Sequence, residues 1–584
     1  MCGITGLIHL SGLSIDPSLH LGMNLAIKHR GSDSQGVFID RDIGLSNRRL
    51  RIIGEKNDGH QPMHFKERYH FVFNGTLYNY KALAEKLKAK NIPVHTSSDT
   101  EIAFMWLIHF GLNNLTDWEG MYSFIFYDSQ YKKVWIRRDT LGIKPLYYAL
   151  LNGYLAVASE TKSFFHFPDW TYEVDNKKIL LFLTTGEREI KGDPFWKKAK
   201  AVPMGCTLQL NYSIARRFHW KILNDADSKP TKSPNQIETL SFKEATLQGK
   251  FIFEKAVLSH VQGNDPLGFS LSGGLDSSLI FSLYKYFQPQ SIPLAISYAD
   301  MEKKEITALK NHFTADYYTL PIPTFEQFQD THKEVVLLSE GPLPGPNAIY
   351  HFNIYAFAKQ LGIKIMLSGQ GADELFLGYP GFLTSYWKDL YINKKYTNLL
   401  SEVIHTALTR TDLYKPFLQF LKNKKPGRID KEKISLSDLR YNNLIKSNLP
   451  YLLHAEDRHS LANNIEARVP FLDSQILAFA RKLPASYSIN QGKQKWILRA
   501  IGEDFLPESI LNNYAKKGFP AKMPEPNQRE KTAFLSDLKE FISQESHFFL
   551  PTREPIQLWH QYPALAWRIY SLQKWLKIYN IQAT

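Results

Sequence analysis

The first part of the chain reads as short apolar or aromatic runs divided by turn signals, a spacing that predicts β-strands. Tyr69–Phe73, Ser123–Tyr127, Val134–Arg137 and Tyr154–Ala158 are each of strand length. A helix is predicted over Tyr80–Lys90, where Leu83 and Leu87 fall one turn apart. From Asn224 to Gln236 the pattern breaks into Asp, Ser, Pro, Lys and Asn, the make-up of a linker. Beyond it strands and helices alternate. Pro266–Leu271 and Ile363–Leu367 are the continuous apolar runs expected of parallel strands buried on both faces. After about residue 380 the pattern is mostly helical. The parse is a β-rich domain over 1–220, a linker over 221–240 and an α/β domain over 241–584 whose C-terminal part is largely helical.

Length supports two large domains, because 584 residues exceed the roughly 250–300 that one core serves. An apolar fraction of 43% with 22% charged residues is ordinary for a soluble, core-forming protein. Only Cys2 and Cys206 occur, which excludes a disulfide framework and fits a reducing, cytoplasmic compartment. Cys206, after Pro203-Met204-Gly205, is expected to pack as a small hydrophobe. No run approaches the roughly 18 apolar residues of a membrane span. The N-terminus lacks the basic and apolar regions of a secretory signal, and the final Ile-Gln-Ala-Thr is no prenylation box. The net charge of +14 is densest at Lys422–Arg428, where Pro426-Gly427 marks a loop. No nucleic-acid motif accompanies it, so it reads as a solvated basic surface with neither nucleic acid nor membrane as partner.

Two places carry chemistry. The chain begins Met1-Cys2-Gly3. Removal of Met1 would put a thiol and an α-amine on one residue, and an amine with a reference pKa near ~7.7–8.0 can take the proton from its own thiol. The second place is Leu271-Ser272-Gly273-Gly274-Leu275-Asp276-Ser277-Ser278, between a strand and a helix. Its glycines admit a ligand close to the backbone, and its hydroxyls, amides and helix N-terminus offer donors to phosphate oxygens. Asp276 fits an anion site if it holds Mg²⁺. No Gly-Lys-Ser/Thr follows, so this is not a Walker A loop. Leu367-Ser368-Gly369-Gln370-Gly371-Ala372-Asp373 follows another parallel-type strand, so both loops would meet where open α/β sheets bind ligands, with Asp373 as a second carboxylate.

His29-Arg30-Gly31-Ser32-Asp33, Arg48-Arg49-Leu50, Gly59-His60-Gln61-Pro62-Met63, Asn74-Gly75-Thr76 and Ser98-Asp99-Thr100-Glu101 follow Cys2 in an order that resembles the class II glutamine amidotransferases. The octet at Leu271 resembles the pyrophosphate loop of the N-type ATP pyrophosphatases. Glu456-Asp457-Arg458, Ile465–Asp473 and Lys495–Arg499 resemble the signature of the glutamine-hydrolysing asparagine synthetase family, as do Arg138–Tyr148 and Ala158-Ser159-Glu160, so the likeness spans nearly the entire chain.

That resemblance implies an α+β N-terminal-nucleophile domain (αββα) followed by an α/β parallel-sheet PP-loop ATP pyrophosphatase domain. It implies that Cys2 attacks glutamine, that Asn74 and the Gly75 N–H hold the oxyanion, and that Arg49, Asn74, Thr76 and Asp99 bind glutamine. ATP would meet Leu271, Ser272, Gly273, Gly274, Asp276, Ser277, Ile296, Ser368 and Gly369. Mg²⁺ would sit on Asp276 and Asp373, with Lys495 neutralising charge at the breaking phosphate bridge. The activity implied is transfer of glutamine-derived ammonia to an aspartyl-adenylate, giving asparagine, glutamate, AMP and pyrophosphate. Amidation of another carboxylate, such as a sugar acid or peptide, and a silent glutamine or ATP sensor are the alternatives; a homodimer is left open. Three positions depart from the family pattern: Ser32 replaces a usual Pro, Thr76 the Glu that helps hold the glutamine ammonium, and Gln370 a Glu thought to assist ammonia attack.

Overall fold

The computed structural model describes residues 2–55, 58–188, 192–211, 220–224, 240–263, 265–299, 303–409, 435–514, 522–544 and 561–581. The basic segment Lys422–Arg428 and residues 225–239 of the expected linker lie outside them.

Twelve strands build the N-terminal part: β1 Cys2–His9, β2 Ser34–Asp40, β3 Ile43–Arg49, β4 Met63–Phe65, β5 Tyr69–Leu77, β6 Gly120–Asp128, β7 Lys133–Arg138, β8 Tyr147–Leu151, β9 Tyr154–Ala158, β10 Ala199–Ala201, β11 Cys206–Asn211 and β12 Trp220–Asn224. They form two six-stranded sheets, ordered β10-β8-β9-β1-β3-β2 and β12-β11-β7-β6-β5-β4. Alternation along each strand sends one set of side chains between the sheets. Ile4, Ile8 and Val157 from the first sheet meet Val72, Ile125 and Ile136 from the second in one buried cluster. Outside the second sheet, Phe71 and Phe73 pack on Leu83 and Leu87 of the helix Tyr80–Lys88 and on Phe104 of the helix Asp99–Phe110. Leu7 and Ala156 on the other side of the first sheet join a core with Met23 of the helix Pro17–Ala26 and Ile179 of the helix Asn176–Thr185. These four layers are the αββα arrangement. β12 occupies residues placed in the linker by composition, so the second sheet extends past residue 220; pairing with β11 offers its backbone groups partners that composition does not register.

After residue 240 the helix Phe242–His260 opens on a capping box, Ser241 with Glu244. Five parallel strands follow: β13 Leu267–Ser270, β14 Leu294–Tyr298, β15 Asp316–Leu320, β16 Ile365–Leu367 and β17 Glu466–Arg468, in the order β15-β14-β13-β16-β17. β17 comes from the stretch expected to be helical. Its three residues are buried and pair with β16, so the sheet recruits an edge strand roughly a hundred residues after the last. Most described residues after 380 are helical, including Asn448–Ala462, which packs against β17 and against the turn Lys28–Arg30 of the N-terminal part. No helix among the described residues is long and apolar enough to cross a membrane.

Candidate active sites

Cys2 opens β1 and is buried. Its position follows from register: β1 pairs with β3, setting Cys2 opposite Arg49, while β5 crosses behind with Asn74 and Gly75. Cys2, Arg49, Gly75, Thr76, Asp99 and Gln61 line one cleft of about 300 Å³. The Cys2 backbone N donates to Asn74 Oδ1 at 3.0 Å. The other half of that amide, Asn74 Nδ2, is buried with no hydrogen-bond partner among the described residues. An unspent buried donor beside a thiol is costly to fold unless something uses it. Gly75 admits no side chain, since a Cβ there would lie 2.3 Å from the Met121 carbonyl oxygen and 2.7 Å from Tyr122 Cα.

Asp99 begins its helix behind the N-cap Ser98 and accepts the Leu77 N–H at 3.0 Å. Burial pushes its carboxyl up to about 6, against the lowering effect of the Leu77 amide. Gln61, to which the motif implies no role, also enters this cleft. Its Nε2 lies 3.8 Å from Cys2 Sγ while its Oε1 accepts the Phe73 N–H at 2.6 Å, so it braces the thiol against β5. Cys206 is buried and reaches the Met204 carbonyl at 3.4 Å, away from this cleft.

At the C-terminal ends of β13 and β16 the two glycine-rich loops meet. A Cβ on Gly369 would lie 2.9 Å from both Asp276 Cβ and Ser277 N, so that glycine permits their contact. The Leu271 amide donates to the Ile296 carbonyl at 2.8 Å, tying the first loop to β14. Gly273 takes a positive φ of 67°, and the Ser272 and Ser277 hydroxyls lie 3.2 Å apart. Gly274 caps the helix Leu275–Phe287 without a side chain, leaving first-turn amides for an anion. Ser368 starts the second loop, its amide held by the Arg468 carbonyl at 3.1 Å.

Lys495 closes the site from a segment more than 200 residues after the first loop. Its Nζ lies 2.6 Å from Asp276 Oδ2 and 2.6 Å from Asp373 Oδ1. Burial disfavours the ammonium, but the two carboxylates outweigh it and push Lys495 up to about 12. Its backbone is left-handed at φ 56°, a strained conformation for a long side chain and of a kind that clusters at working sites. Among the described residues no three His, Cys, Asp or Glu side chains converge as a ready metal site. Two carboxylates already gripping one cation nevertheless fit a hard divalent ion that draws its remaining oxygens from phosphate and water. Asp276, Asp373, Gly274 and Lys495 share a pocket of about 390 Å³ with Asn513 and Tyr514, two residues that no local pattern marked.

Where the two domains meet lies a buried charge network. Arg30 Nε donates to the Cys2 carbonyl at 3.3 Å, and its Nη1 reaches Glu160 and Asp457 at 2.7 Å each. Arg458 pairs with Glu160 at 2.5 Å and with Glu340 at 2.9 Å. Asp457 is held below the usual carboxylate range; burial opposes this, but Arg30 and Lys144 prevail. One residue earlier on the same helix, Glu456 accepts from His351 at 3.2 Å.

Comparison with known proteins accords with this layout. A model described as a glutamine amidotransferase domain matches residues 1–220, and one described as asparagine synthase matches residues 250–577. The chain is 28% identical to asparagine synthetase (glutamine-hydrolyzing) 1 of Bacillus subtilis, over 89% of this chain and 87% of that protein. It is 25% identical to asparagine synthetase (glutamine-hydrolyzing) 3 of the same organism, over 96% and 93%. A putative asparagine synthetase (glutamine-hydrolyzing) 1 of Methanocaldococcus jannaschii is 27% identical, over 84% and 82%.

Proposed function

Because this chain belongs to the asparagine synthase family, we propose that it converts aspartate to asparagine, using ATP to activate the acid and glutamine as the nitrogen source. The observation that carries the glutamine half is the Asn74 amide, bonded on one side to Cys2 and unspent on the other. Once Met1 is removed, the Cys2 amine takes the thiol proton and the sulfur attacks the glutamine amide carbon. Asn74 Nδ2 and the Gly75 N–H receive the oxyanion, where one such donor is worth roughly 2.7–4 kcal/mol. Arg49 holds the α-carboxylate in its donor fork. Asp99 and Thr76 take the α-ammonium. The oxyanion collapses, the carbon–nitrogen bond breaks as the protonated Cys2 amine returns its proton to the leaving nitrogen, and ammonia departs; water later frees glutamate from the thioester.

In the second site the first-turn amides and the Ser272 and Ser277 hydroxyls cradle the phosphates. Asp276 and Asp373 would hold Mg²⁺, which when bound screens the triphosphate charge. Lys495, drawn from the carboxylates toward the bridging oxygen, steadies charge as the aspartate carboxylate attacks the α-phosphorus and pyrophosphate leaves. Ammonia then attacks the acyl carbon, the carbon–oxygen bond to AMP breaks, and the amide forms. Ammonia released into water at neutral pH is mostly protonated, so the transfer requires a path between the two sites that is closed to water. Both cysteines are buried and neither is in a disulfide, which suits a cytoplasmic enzyme.

A second reading, amidation of another carboxylate, is favoured by Gln370, which cannot accept a proton in the loop facing the adenylate. A panel of carboxylic acids assayed for ATP-to-AMP turnover with ammonia decides between them. Aspartate should support the fastest turnover. A different acid doing so reassigns the acceptor, and no turnover with any acid leaves a binding protein.

A further inference from the structure

Thr76 stands where the family turn usually carries a carboxylate, and the structure brings a carboxylate to that place from the other domain. The Thr76 hydroxyl lies 3.1 Å from Glu466 Oε1 and 3.0 Å from Glu466 Oε2, although the two residues are 390 positions apart. Both are buried, Glu466 completely. Glu466 belongs to β17 of the parallel sheet, and its Oε1 is fixed by Arg468 Nε at 2.6 Å. Arg468 is itself pinned by the His260 and Gln262 carbonyls at 2.7 and 2.9 Å. From the glutaminase side, the Tyr78 carbonyl accepts from Gln262 Nε2 at 3.2 Å, two residues beyond Thr76.

A threonine hydroxyl has one proton and two lone pairs. With both oxygens of an ionised carboxylate in reach, that proton is committed to Glu466. Burial works against a charge on Glu466, but the Arg468 guanidinium holds its carboxyl below the usual range. The lone pairs of Thr76 are therefore the part of the group left for a cation, in the wall of the cleft that Asp99 also lines.

We propose that Glu466 is a positioning residue of the glutamine site: by taking the Thr76 proton it turns that hydroxyl into a fixed acceptor for the glutamine α-ammonium. The synthetase domain thereby completes the glutaminase pocket, and the carboxylate absent from position 76 acts from one bond further away. This rests on the glutamine-hydrolysing reading of the Cys2 cleft. The same short strand holds Ser368 of the nucleotide loop through the Arg468 carbonyl, so the acceptor that orients glutamine and the loop that cradles phosphate share one support.

The test measures glutaminase KM and kcat, with ammonia-driven AMP formation as a control for folding. Thr76→Val, which keeps shape and removes the hydroxyl, should raise the glutamine KM at least about tenfold with kcat within about twofold. Thr76→Ser should restore the wild-type KM, and ammonia-driven AMP formation reports whether each variant has folded. Glu466→Gln should also raise KM, and should add nothing further in the Thr76→Val background, because both changes remove one interaction. If Glu466→Gln is insoluble, Glu466→Asp takes its place with the same expected non-additivity. An unchanged KM in Thr76→Val, or effects of the two substitutions that multiply, would overturn the proposal. A wild-type protein that hydrolyses no glutamine would instead bring down the reading on which it rests.

Discussion

Moving from about pH 7.5 to about pH 5 should weaken glutamine binding as Asp99 loses its charge. Asp99 is 5% exposed, and burial lifts its carboxyl to about 6, so the empty site favours the neutral acid at the lower pH. A neutral Asp99 cannot hold an ammonium. With half-ionisation near pH 6, the fall in ionised fraction across that range multiplies the glutamine KM roughly tenfold. The Cys2 amine, with a reference pKa near ~7.7–8.0, titrates at higher pH and enters kcat instead. The same shift has a stability consequence. A carboxyl raised in the folded chain works against folding at pH values above its folded pKa, and that burden fades as pH falls toward the ordinary value of 3.8. At about 1.4 kcal/mol per unit, the rise to about 6 sets the burden at about 3 kcal/mol at neutral pH. Asp99→Asn keeps an oxygen for the Leu77 N–H and removes the charge. It should therefore raise KM more than about tenfold at pH 7.5, abolish the pH dependence of KM and increase thermal stability at neutral pH. Steady-state glutaminase assays across the range, paired with thermal melts, read all three. A wild-type KM that stays flat down to pH 5, or an Asp99→Asn profile parallel to wild type, would refute the argument.

Cys2→Ala should abolish glutamine-driven synthesis and leave ammonia-driven synthesis intact, and intact-mass measurement should find Met1 removed from the active protein. Gly75→Ala, with its Cβ 2.3 Å from a carbonyl oxygen, should displace β5 and cost glutaminase roughly a hundredfold or more while sparing ammonia-driven turnover. Asp276→Asn should stop pyrophosphate release even with ammonia supplied, as measured by a coupled phosphate assay. Asp457→Asn leaves the buried Arg30 and Lys144 short of a carboxylate and should cost about 3–5 kcal/mol in denaturant unfolding.

Much of this molecule was legible in one dimension. Strands β5, β6, β7 and β9 and the helix beginning at Tyr80 lie where periodicity placed them, because their apolar residues answer to a single nearby surface. The loops at Leu271 and Ser368 were readable for the same reason: glycine, serine and a following helix are local requirements. Cys2, Arg49, Gly75, Thr76 and Asp99 were named from ordered short motifs, and register brings them to one cleft. β17 was not readable. Glu-Ala-Arg carries neither alternation nor an apolar run, and is a strand only because β16 offers an unpaired edge and the surrounding charges satisfy Glu466 and Arg468. Asn513 and Tyr514 were missed because nothing in their neighbourhood signals the pocket they border.

Sequence thus determined the turns and the candidate residues they carry, since a thiol at a strand start, a glycine-rich loop and a helix cap depend on residues a few positions apart. Tertiary structure alone decided how the two domains are joined. Arg30 finds Asp457 across 427 positions and Thr76 finds Glu466 across 390. A buried charge or hydroxyl is satisfied by whatever packing brings within 3 Å, and that is set by the folding of the whole chain.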